Sequence, residues 1–202
     1  KTAPRGRVTL LRKLFLLILC VLAGTLYSSF VFSGVKIKNY PNGETRFEIG
    51  VNTDGLPNGL TKEYDVEGNL ISEKKFQNGV RQGMSKMYYA NGNLMTEWIY
   101  RKGVRHGIAL GYYPNGIMKD HGIYLNGKLN GLSKKYYPSG RLKAEMVFRE
   151  DLIQGVSRIY DEEGLLKVQS TYRDGRMIRR IAYDRKGNII QNQEFDPLYK
   201  LP

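Results

Sequence analysis

Apolar and polar positions along the chain follow two different rhythms. From Leu14 to Val35 the sequence LFLLILCVLAGTLYSSFVFSGV carries no charge over 22 residues. As a helix rising about 1.5 Å per residue it would span about 33 Å, enough to cross a bilayer core. After it, apolar and polar residues alternate in short stretches closed by glycine turns, the period of half-buried strands. Residues 83–107, GMSKMYYANGNLMTEWIYRKGVRHG, show the unit. Met84 to Tyr89 reads as a strand, Asn91-Gly92 as a hairpin turn and Leu94 to Tyr100 as the return strand. Arg101 to His106 then carries the chain into the next unit.

The unit recurs. Turn glycines Gly43, Gly68, Gly92, Gly116, Gly140, Gly164 and Gly187 are 23 to 25 residues apart. A second series, Gly55, Gly79, Gly103, Gly127 and Gly175, keeps a 24-residue step with Asp151 in the missing place. A third is Gly59, Gly83, Gly107, Gly131 and Gly155, and Arg179 is read as replacing its next member. Units this small cannot bury a core alone, so their stability must come from stacking on neighbours. The expected fold is all-β: an antiparallel β-meander of about six 24-residue hairpin repeats over residues 36–192, preceded by one N-terminal transmembrane helix over 14–35. The tail 193–202 reads as an extended segment ending in DPLYKLP.

Residues 1–13 contain Lys1, Arg5, Arg7, Arg12 and Lys13 and no acid. This flank should stay on the cytoplasmic side, leaving the array on the extracytoplasmic (periplasmic) side. A cleaved signal peptide ending near Val21-Leu22-Ala23 is the competing reading. The apolar stretch continues well past that point, which favours an anchor. Ala23, Gly24, Ser28 and Ser29 are small enough to let another membrane helix approach closely.

The motifs YYANGNL (88–94), YYPNGIM (112–118), YYPSGRL (136–142) and GVRHG (103–107) resemble MORN repeats, and more closely the MORN-variant repeats of YwqK-type proteins. The resemblance covers about residues 40–192 and implies a β-repeat fold with scaffolding, protein-contact or lipid-attachment roles. It also brings an antitoxin or immunity role by family analogy.

Composition narrows the chemistry. The chain has 32 Lys+Arg against 19 Asp+Glu, 2 His and 1 Cys. One cysteine permits neither an internal disulfide nor a cysteine zinc site. His106 sits in a repeat turn and His121 takes a glutamate position, so neither is expected to act in catalysis or ligate a metal. Acidic residues lack calcium-loop spacing, and the glycines belong to turns rather than to a phosphate loop. The expectation is no catalytic residue, no metal, no cofactor and no small-molecule substrate. Five basic residues belong to the N-terminal flank, leaving 27 against 19 spread along the array, and nucleic acid is not expected.

Repeat positions become stripes on a sheet. One expected face combines the apolar series Leu60, Met84, Ile108, Leu132 and Val156 with the cations Lys62, Lys86, Lys134 and Arg158. It also bears Tyr64, Tyr88, Tyr112, Tyr136 and Tyr160. The apolar and aromatic stripes are expected to form the repeat's own core. The cations and tyrosines are the candidate surface for a partner or an anion. Glu73, Glu97, Glu145 and Gln169, with His121 in register, are expected on the opposite face as a solvated row. The leading expectation is a non-enzymatic membrane-anchored scaffold or accessory subunit joined to other membrane-protein subunits. Binding of anionic lipid or cell envelope through the basic and tyrosine stripes is the alternative.

Overall fold

The computed structural model describes residues 34–196. Its strands are β1 (Gly34–Asn39), β2 (Thr45–Val51), β3 (Pro57–Tyr64), β4 (Leu70–Gln77) and β5 (Val80–Tyr88). They continue as β6 (Leu94–Arg101), β7 (Val104–Tyr112), β8 (Met118–Leu125), β9 (Lys128–Leu129) and β10 (Gly131–Tyr136). The last five are β11 (Leu142–Arg149), β12 (Leu152–Tyr160), β13 (Leu166–Arg173), β14 (Arg176–Tyr183) and β15 (Ile189–Glu194). All 15 belong to one antiparallel meander in chain order, with β9 pairing β8 beside the main path. No helix occurs among the described residues, and β1 takes Gly34 and Val35 from the uncharged stretch. The expected transmembrane helix otherwise lies outside the described residues.

Two turn types alternate. At the first, the Gly92 N–H donates to the Tyr89 carbonyl at 2.9 Å and the Tyr89 N–H to the Asn93 carbonyl at 2.8 Å. Gly92 has φ 81° while Asn91 is not left-handed, which is a three-residue loop closed by a glycine bulge. The second turn is tighter than expected. Arg101 pairs directly with Val104, and the two residues between them, Lys102 and Gly103, have φ 50° and 83°. Both central residues left-handed define a type I′ turn, whose twist matches the strands it joins. Residues 101–106 are therefore a hairpin rather than a connecting segment. At Glu150-Asp151 the same turn has no glycine, and Asp151 holds φ 70°. Aspartate tolerates this conformation better than most residues, and Asp151 Oδ1 accepts the Leu129 N–H at 2.7 Å.

The third glycine series makes a bulge. Phe76 pairs Arg81 and Lys74 pairs Ser85, so three residues of β5 oppose Lys75 alone, and Gly83 takes φ 89°. In the last unit Tyr172 pairs Met177, Thr171 pairs Arg179 and Ser170 pairs Arg180, leaving one extra residue, Ile178. Arg179 thus occupies the apolar position that follows the glycine, and the glycine itself has no counterpart. The reading of Arg179 as its replacement is corrected.

The expected core is corrected as well. Leu60, Met84, Ile108 and Leu132 remain 44%, 46%, 50% and 38% exposed. Nothing among the described residues covers either face with a second layer. The best-buried side chains are mostly small ones, led by Ser72 at 1% exposure and joined by Ser85, Ala109, Ala144 and Ser170. Cohesion comes instead from the backbone ladder and from bonds between successive units. Tyr89, Tyr113 and Tyr137 each donate a hydroxyl hydrogen to the carbonyl of Tyr112, Tyr136 and Tyr160, at 2.7 to 2.8 Å. Gly103 and Gly127 N–H groups donate back to Arg81 and Arg105 carbonyls at 2.9 and 2.8 Å.

Candidate functional site

Directly opposed residues of an antiparallel pair lie on the same face. Glu48 opposes Lys62, Lys62 opposes Glu73, Glu73 opposes Lys86, and Lys86 opposes Glu97. The line passes Leu110 and His121 and resumes as Lys134, Glu145 and Arg158. The glutamates therefore share the face of the basic stripe, not the opposite one. The turn bulges insert a residue at each hairpin, so parity could not be carried across the turns from sequence alone. Four carboxylates, Glu48, Glu73, Glu97 and Glu145, stand beside the four cations Lys62, Lys86, Lys134 and Arg158. Contacts include Lys62–Glu48 at 3.9 Å and Arg158–Glu145 at 3.1 Å. Partly exposed pairs of this kind contribute at most about 1 kcal/mol each. Their main effect is to leave the line without net charge.

The tyrosine stripe joins this network. Tyr64, Tyr88, Tyr112 and Tyr160 donate to Glu48, Glu73, Glu97 and Glu145 at 3.1, 2.8, 2.9 and 3.2 Å. Tyr136, whose counterpart is His121, makes no such bond. Burial, followed by the bond to Glu73 and its charge, pushes the Tyr88 hydroxyl up to about 12, and burial with Glu97 does the same for Tyr112. A raised tyrosine stabilises the fold below its unfolded value of about 10, and that contribution is lost as pH climbs towards 12. The double variant Tyr88→Phe, Tyr112→Phe should lose less of its stability than the parent between pH about 10 and about 12. Urea midpoints measured across that window check this, and equal slopes for the two chains would refute it.

Next to the charged line lies a continuous apolar band on the same face. Met84 opposes Ile99, Ile108 opposes Ile123 and Leu132 opposes Val147, all between 36% and 50% exposed. Val80 and Val104 extend it towards the type I′ turns. The face thus presents hydrophobic area beside a neutralised polar strip.

The other face carries a cluster that the repeat does not require. The Arg81 guanidinium stacks 4.7 Å from the Tyr100 ring centre. Arg105 lies 4.0 Å from Trp98 and 5.3 Å from Tyr124. Glu63 accepts from Lys74 at 2.9 Å and from the Ser72 hydroxyl at 3.1 Å. Burial pushes the Glu63 carboxyl up, but the bonds and charge of Lys74 prevail and hold it below the ordinary value. A cavity of about 170 Å³ opens here, lined by Glu63, Ser72, Lys74, Arg81, Ser85 and Trp98 among others. Sequence reasoning passed over these residues because it followed what recurs. The available signal was the arginine in VRQG and VRHG, absent from the other units.

Among the described residues no group of three or more His, Cys, Asp or Glu is placed to hold a metal ion. Ala23, Gly24, Ser28 and Ser29 lie outside the described residues.

A sheet of this construction, with two strands and two hairpin turns per 24-residue step and bonds between neighbouring strands, defines a β-repeat protein of the meander class. The MORN repeat variant family model matches residues 81–102, 105–126 and 129–150. These three tandem MORN-variant repeats correspond to β5–β6, β7–β8 and β9–β11. No curated protein matches the chain.

Proposed function

We propose that this protein is a non-enzymatic, membrane-anchored scaffold or accessory subunit whose repeat sheet contacts protein partners in a larger membrane complex, with the array on the extracytoplasmic side. The observation that carries this reading is the apolar band through Met84, Ile99, Ile108, Ile123, Leu132 and Val147. Exposed apolar patches bordered by polar residues mark interaction surfaces. The neighbouring line of cations is matched by carboxylates, which favours a protein partner over an anionic bilayer. The uncharged residues 14–33 and their basic flank support the anchor.

The test is gentle detergent extraction from the native membrane, native sizing and mass spectrometry of co-migrating proteins. A large species with stoichiometric partners is expected. The variant Ile108→Glu should leave the fold intact, since Ile108 is 50% exposed, and shift the chain to a free species. A parent chain that migrates alone, or a variant that keeps its partners, would remove the support for this reading.

A further inference from the structure

Where units of a repeat differ, the difference is not required by the repeat. At the place of Arg81 and Arg105 the other units hold Pro57, Leu129, Ile153 and Met177. At the place of Trp98 they hold Lys74, Gly122, Met146 and Ser170. The departures converge on one stretch of one face. Lys74, Ser85 and Trp98 are successive cross-strand neighbours on β4, β5 and β6. Arg81 opposes Phe76 and Arg105 opposes Tyr100 in the adjoining line.

Three observations indicate what this stretch accepts. Among the described residues, neither arginine has an acid within ion-pair distance. Both lie over aromatic rings, and Arg105 also donates to the Tyr124 hydroxyl at 3.5 Å, which restrains each guanidinium while N–H donors remain for a planar anion. Ser85, only 7% exposed, lines the cavity, and its hydroxyl has no hydrogen-bond partner. A buried hydroxyl left unpaired is costly, so an acceptor arriving from outside would be rewarded. The cavity is sized for one side chain rather than for a cofactor. Glu63, already bonded to Lys74, borders it, and Asp120 on β8 bounds the cationic stretch on the same face. A singly charged carboxylate fits beside Glu63 better than a doubly charged phosphate, and Met87 and Trp98 can pack against its aliphatic stem.

We propose that the face bearing Arg81, Ser85, Trp98 and Arg105 binds an acidic segment of a protein partner, one of whose carboxylates enters the cavity to accept from Ser85 and Arg81. Arg105 then takes a second carboxylate beside Trp98. This site is separate from the apolar band and does not depend on it.

Trp98 is the chain's one tryptophan, so its fluorescence reports this site alone. Titrating the full chain with a hexaglutamate peptide should give a saturable change that hexaglutamine does not give. Arg81→Gln and Arg105→Gln should each weaken binding by about tenfold or more, the loss expected for one charge-assisted contact. Arg149→Gln, on exposed Arg149 of β11, should bind as the parent does. Should Arg81→Gln not fold, Arg81→Lys keeps the charge and stem but loses the two-pronged donor edge, and weaker binding is again expected. No saturable change, an equal response to hexaglutamine, or undiminished binding by the arginine variants would overturn the proposal. So would a response to vesicles of phosphatidylglycerol and phosphatidylcholine without one to the peptide, which would assign the site to lipid headgroups. The titration involves no membrane partner, so its failure would leave the apolar-band reading standing.

Discussion

Replacing Gly50 by alanine should unzip the first hairpin of the sheet. A Cβ at Gly50 would stand 2.6 Å from the Asn58 carbonyl oxygen and 3.1 Å from that of Leu60. Both are backbone atoms of the β3 bulge, where Asn58, Gly59 and Leu60 crowd opposite Gly50 between the pairs Ile49–Thr61 and Val51–Pro57. No side-chain rotation can relieve such a contact, so β2 or the bulge must move. The expected cost is about 2–3 kcal/mol, in the range of overpacked interiors. For a chain of this size that corresponds to about 4–12 °C if the sheet melted as one unit. Because each unit touches only its neighbours, the damage should instead concentrate in β1 and β2. Hydrogen exchange should show lost protection there while β5 to β13 keep theirs. Gly34→Ala is the control: its Cβ would meet only Val51 Cγ2, at an ordinary 3.8 Å. Similar protection in the Gly50→Ala and parent hairpins would refute the argument.

Gly50 also shows where sequence reading stopped. It belongs to none of the three glycine series, since other units place Lys75, Ile99 and Met146 opposite the bulge. The series themselves were legible because a left-handed turn position leaves glycine as the easy choice, so Gly92 and Gly103 announce their turns from sequence alone. What recurs at a fixed step gave the meander, its alternation of turns and the MORN-variant likeness. Facing was not legible. Whether Glu73 shares a side with Lys62 depends on how many residues each bulge inserts, and one residue reverses the answer. Burial was not legible either, because the exposure of Ile108 depends on no other part of the described sheet covering it, which no local pattern records. The Arg81–Trp98–Arg105 cluster was hidden for a third reason: it is built from the residues that break the period.

Removing the carboxylates from the charged line should convert this face into a membrane-binding one. In the parent, Lys62, Lys86, Lys134 and Arg158 face Glu48, Glu73, Glu97 and Glu145. The triple variant Glu73→Gln, Glu97→Gln, Glu145→Gln leaves those cations with Glu48 alone. Glutamine keeps the shape and can still accept from Tyr88, Tyr112 and Tyr160, so the network should loosen rather than collapse. A cation near an anionic surface is worth about 1 kcal/mol. Three uncompensated charges therefore strengthen binding to phosphatidylglycerol-containing vesicles by roughly 100-fold at low salt. The gain should fade as ionic strength rises past about 0.1 M, where the screening length falls to about 10 Å. It is read as the difference between the two chains, the apolar 14–35 segment being common to both. Should the parent bind such vesicles as tightly as the variant, the glutamates would not be what controls this face, and lipid would displace protein as its partner. A large difference would give the alternating line a physical purpose: it holds the sheet's hydrogen bonds and ion pairs together while withholding the positive field that a bilayer would attract, leaving the adjacent apolar band for a protein.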